Sequence, residues 1–132
     1  MNLGPRVIFK DDRDSASGRG CRMFAAHFTH YVMAILIHGV QAFSLDKTVK
    51  VIRLTEGHRH IRDTRDLHEE CRAFDFTAEM EEGTRIPRAA YERVGHQMRK
   101  WLGSDYDVIV HGEGTNLHIH AEYDPKPQRS VA

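Results

Sequence analysis

The stretch that decides the fold is YDVIV (Tyr106–Val110), HGEGTN (His111–Asn116) and LHIHAEY (Leu117–Tyr123). The two flanking runs alternate apolar and polar residues, the period of a half-buried strand. The six residues between them carry Gly112 and Gly114, which mark a turn. Two such strands joined by so short a turn form an antiparallel hairpin. Working upstream, Pro87 precedes a helical run from Arg88 to Leu102, and Gly103 follows it. Proline suits the first turn of a helix and glycine its stop. CRAFDFT (Cys71–Thr77) and VKVIRL (Val49–Leu54) alternate again and predict two more strands.

Further upstream, Phe24, His27, Phe28, Tyr31, Ile35 and Leu36 recur near helical spacing, and a helix over residues 22–45 is predicted. Its most apolar part, Tyr31–Phe43, is 13 residues. At about 1.5 Å per residue that is too short to span a bilayer, and it reads as a core helix. Residues 1–20 are polar and rich in Gly and Ser, and an irregular start is expected. Thr55–Asp66 is charged, carries Gly57 and reads as a loop. The order is helix, strand, loop, strand, helix, strand, turn, strand. This defines an α+β fold, a small antiparallel sheet with helices packed on one face. No repeat or linker divides the chain, so residues 1–132 are expected to form a single domain, with residues 49–125 as the core that carries chemistry.

Lys and Arg together equal Asp and Glu, so the formal net charge is zero. A general nucleic-acid binder carries a basic excess, and none is present. The two cysteines, Cys21 and Cys71, form no C-x-x-C pair and read as free thiols of a reducing compartment. No apolar leader opens the sequence; Asp11, Asp12, Arg13 and Asp14 fall where one would lie. Synthesis in the cytoplasm is therefore expected, without membrane insertion and as a monomer.

The unusual count is ten histidines. Histidine is the commonest metal ligand and acid–base residue. His68 approaches the Cys71–Thr77 strand, where Ala73 and Asp75 share a side. His118 and His120 share a side of the last strand. Two histidines and one carboxylate make a sound ligand set for catalytic zinc, with a fourth position left open.

These residues carry a resemblance. RLTEG (Arg53–Gly57), followed by Leu67 and His68 through Asp75, resembles the zinc D-Ala-D-Ala carboxypeptidase family and its relative, the hedgehog signalling domain. The family signature has the form S-x-H-x-x-G-x-A-x-D, and His68, Ala73 and Asp75 match it in register. LHIHAEYDP (Leu117–Pro125) is similar to the H-x-H-bearing last strand of phage and bacterial members. The resemblance covers roughly residues 50–125 and includes element order. Two positions depart from it: Asp66 stands where the family has serine, and Cys71 where it has glycine.

The resemblance implies a zinc ion held by His68, Asp75 and His120. It implies a hydrogen bond from His118 to the tetrahedral intermediate. It also implies a carboxylate base shortly before the last ligand; Leu117 cannot serve, so Glu113 is the choice and Glu122 its rival. Arg53, His58, His60 and Arg62 can hold the substrate, with His60 and Arg62 favoured. The activity implied is hydrolysis of peptidoglycan stem peptides, of the D-Ala-D-Ala carboxypeptidase or L-Ala-D-Glu endopeptidase type. The site of action would be the cell wall if the protein is phage-encoded or released. The alternative is a zinc-bearing binding or structural domain without hydrolysis.

Overall fold

The computed structural model describes residues 4–9, 29–56, 72–81 and 83–125. Two helices and a six-stranded mixed sheet make up an α+β fold. The elements are β1 (Arg6–Phe9), α1 (His30–Ser44), β2 (Val51–Glu56), β3 (Ala73–Glu81), β4 (Thr84–Arg85), α2 (Arg88–Leu102), β5 (Tyr106–His111) and β6 (His118–Tyr123). The sheet order is β1-β2-β3-β6-β5, with β4 also on β3. Glu79 pairs with Val51 on one side and Arg85 on the other, so β4 continues the edge of β3 that β6 occupies further back.

Alternation divides the sheet into two faces. Phe74, Phe76 and Ala78 of β3, Ile52 and Leu54 of β2, Ile119 and Ala121 of β6 and Val108 of β5 join one buried core with α1 and α2. Phe43 of α1 lies 6.0 Å from the Phe76 ring and meets Tyr91 of α2 edge-on at 6.2 Å. Gly39 lets α1 approach closely, because a Cβ there would stand 2.5 Å from the Phe76 ring. The Tyr91 hydroxyl accepts the Ala78 N–H at 3.0 Å, satisfying a buried donor.

The α2 boundaries coincide with the Pro87 and Gly103 signals. Gly103 has φ +87°, a conformation that favours glycine. Arg99 donates to the Val108 carbonyl at 2.9 Å and Arg88 to the Gly112 carbonyl at 2.7 Å, which tie α2 to β5 and to the turn after it. β5 and β6 pair antiparallel, from Tyr106 with Tyr123 to His111 with His118. Among the described residues no helix is long and apolar enough to cross a membrane.

Three expectations need correction. The sheet is mixed, because β1 runs parallel to β2. Residues 6–9 form that strand rather than an irregular start: RVIF is too short to stand out locally and gains its hydrogen bonds only from β2. Thr55 and Glu56 extend β2 past the expected loop boundary, after a bulge between Leu54 and Glu56 opposite Asp75. The first helix is described from His30, where Thr29 caps it by accepting the Val32 N–H at 3.3 Å. The part of that expected helix before Thr29 lies outside the described residues, as do Gly57 and Cys71.

Candidate metal centre

No described helix packs on the second face of the sheet. It carries Ala73, Asp75, Thr77 and Glu79 of β3, Arg53 of β2, His118, His120 and Glu122 of β6, and Asp107, Ile109 and His111 of β5. Asp75, Thr77 and Glu79 are nevertheless buried. Buried polar groups need partners, and the pairs formed by Asp75 and Glu79 define the site.

β3 and β6 run antiparallel with Asp75 opposite His120. The Asp75 Oδ1 lies 2.7 Å from His120 Nδ1. The other ring nitrogen, Nε2, lies 2.7 Å from Glu122 Oε1. Burial alone would push the His120 pKa down; the bonds and charges of Asp75, then of Glu122, outweigh it and raise the pKa to about 9. Without metal the ring is thus a cation clamped between two carboxylates.

Asp75 and His120 supply a carboxylate and an imidazole, the donor chemistry that zinc takes. Both donors are of types that zinc accepts, and they stand opposite each other on adjacent strands, hydrogen-bonded to one another. At 2.7 Å they share a proton. Two ligands on tetrahedral zinc stand about 3.3 Å apart, from the usual ~2.0–2.1 Å bonds. Taking zinc in place of the shared proton therefore requires the Asp75 carboxylate to swing off the axis of His120 Nδ1, where it now sits.

His118 lies one cross-strand pair from the turn, its ring 5.6 Å from that of His111. Its Nδ1 is 2.6 Å from the Asn116 carbonyl. A carbonyl only accepts, so Nδ1 carries a proton. Nε2 can donate to an oxyanion only when the ring holds both protons.

Glu113 is exposed in the turn, and among the described residues its carboxylate has no hydrogen-bond partner. The structure does not bring it into contact with His120 or His118. Gly112, at φ +88°, is required beside it, because a Cβ would collide with the Asn116 carbonyl. His68, His58, His60 and Arg62 lie outside the described residues. Arg53 faces the site side of the sheet and is held through Nε by Glu79 Oε1 at 2.7 Å.

Sequence reasoning gave Glu122 only a minor part, yet it is a direct partner of His120. The signal was the period-two alternation His118-x-His120-x-Glu122. Asp107, Glu122 and Asp124 bring one carboxylate oxygen each within 4.8 Å of one another. An all-oxygen set of this kind suits hard cations rather than zinc. No family model, curated protein or solved structure matches the chain.

Proposed function

We propose that the protein is a zinc-dependent peptidase acting on peptidoglycan stem peptides, with His68, Asp75 and His120 as metal ligands. The observation that carries this reading is the convergence of Asp75 and His120, residues 45 apart in sequence, at 2.7 Å on the face of the sheet opposite the two helices. The matched H-x-x-x-x-A-x-D spacing around Asp75 supports it. Zinc, when bound, supplies Lewis acidity that lowers the pKa of water and polarises the scissile carbonyl. The chain's own residues do the rest. Glu113 takes the proton from the attacking water and passes it to the leaving amine. His118, with Nδ1–H on the Asn116 carbonyl, would donate to the oxyanion from Nε2 when that nitrogen also carries a proton. His60 and Arg62 hold the substrate.

A second reading has a specific observation in its favour. The Glu113 carboxylate is solvated at the turn, without a partner among the described residues, which suits a zinc-bearing domain that binds without cleaving. Metal analysis of the purified chain, joined to digestion of muropeptides of defined stem, separates the two. The peptidase reading expects about one zinc per chain and new amino termini in the digest. Zinc without cleavage of any stem would leave the binding domain, and a chain with no affinity for zinc would end both.

A further inference from the structure

A carboxylate at physiological pH only accepts hydrogen bonds. Each His120 nitrogen that faces one must therefore carry a proton or a metal ion. Nε2 faces Glu122 Oε1 at 2.7 Å, and Nδ1 faces Asp75 Oδ1 at 2.7 Å. Asp75 is the proposed ligand, so Nδ1 is the nitrogen on the metal side. That leaves Nε2 and Glu122 as an outer pair.

Local packing holds Glu122 in this role. It stands two residues after His120 on β6 and shares its face. Its neighbour across on β3 is Ala73, 1% exposed, whose single methyl leaves room for the Glu122 side chain to fold back along the strand. Its neighbour across on β5 is Asp107, whose carboxylate comes within 4.8 Å. Glu122 thus sits between that acidic neighbour and the imidazole, and its Oε1 is on the imidazole at 2.7 Å.

We propose that Glu122 is the positioning residue of the metal centre: by taking the Nε2–H of His120 it fixes the tautomer and ring orientation that present Nδ1 to zinc. This rests on the zinc reading above. It separates Glu122 from the base, since a carboxylate holding the ligand ring is not available to shuttle a proton. Ligating histidines elsewhere commonly give their second N–H to a carboxylate, and loss of that partner weakens metal binding about 10–100-fold.

The test uses the full chain with zinc and a competing chromogenic chelator, comparing wild type, Glu122→Leu and Glu122→Gln. Thermal melting of the metal-free proteins checks that each variant folds. Glu122→Leu should weaken zinc binding by about 10–100-fold. Glu122→Gln, whose amide oxygen still accepts the N–H, should recover most of the loss. Ring-nitrogen spectra of the zinc-loaded wild type should show His120 metallated at Nδ1 and protonated at Nε2. Unchanged affinity in Glu122→Leu, equal losses in Leu and Gln, or metal on Nε2 would each overturn the proposal while leaving the zinc site standing. A wild type that takes up no zinc would overturn the site and this proposal together.

Discussion

Asp75 Oδ1 and His120 Nδ1 meet at 2.7 Å across the β3–β6 ladder, and Glu122 closes the other side of the imidazole. The pair is largely buried, with side chains 10% and 21% exposed. Asp75→Ala should strip zinc from the protein at micromolar free metal, measured by elemental analysis after gel filtration. The variant also leaves a charged imidazole with one partner fewer, so its metal-free form should melt below the wild type. Full zinc occupancy in Asp75→Ala would remove this residue from the ligand set.

Glu113 is predicted to act on protons without holding metal. Glu113→Gln should lower stem-peptide turnover by roughly 10²–10⁴-fold, with zinc content unchanged. The exposed position of Glu113 makes a stability effect negligible, so melting should coincide with wild type. Equal rates at equal zinc would exclude it as the base.

Thr77 lies on the same face as Asp75, and among the described residues its buried hydroxyl has no hydrogen-bond partner. A buried hydroxyl that gives up water and gains no partner costs about 1–3 kcal/mol. Thr77→Val keeps the shape and removes that cost, so it should stabilise the fold by about 1 kcal/mol. Urea unfolding measures this; a destabilised variant would mean the hydroxyl has a partner in solution.

The Arg53–Glu79 pair makes stability depend on pH. Burial pushes the Glu79 carboxyl up, but the Arg53 bond, the Gly83 N–H at 3.0 Å and the charges of Arg53 and Arg85 outweigh it and leave its pKa lowered. A carboxylate with a lowered folded pKa adds stability above its unfolded value, and this is lost as pH falls through the folded one. Arg53→Met should cost roughly 2–3 kcal/mol at pH 7, less than a fully buried pair because Arg53 is partly solvated. Below about pH 4.5, near the ordinary glutamate range, the gap between the two proteins should narrow. A gap that stays constant from pH 7 to pH 3 would show that the ion pair is not its source.

Gly39 sets two effects against each other. Alanine in a helix interior is favoured over glycine by about 1 kcal/mol. Its Cβ would stand 2.5 Å from the Phe76 ring, which is fully buried and cannot swing away. Overpacking of this kind costs about 1–3 kcal/mol. Gly39→Ala should therefore be destabilising on balance, and a raised melting temperature would show that Phe76 has room to move.

The sequence by itself determined what is local. Pro87 and Gly103 set both ends of α2, because one fixes φ where a helix begins and the other turns the chain where it stops. Alternation in Leu117–Tyr123 set the direction of His118, His120 and Glu122, because a strand's side chains follow its own pleat. β1 escaped notice, since four residues acquire strand character only from a partner more than forty positions away. The tertiary structure alone decided which side chains meet. Periodicity places Asp75 and His120 each on a face of its own strand, but their contact follows from the β3–β6 register. That register is set by Phe74, Phe76, Ile119 and Ala121 packing beneath the helices on the opposite face. A one-residue slip would turn the whole apolar row of a strand out of the core, so the hydrophobic face fixes the polar one. The partner of His120 Nε2 was undetermined for the same reason: Glu122 has Ala73 and Asp107 as cross-strand neighbours from β3 and β5, and only the assembled sheet shows that its carboxylate meets the imidazole.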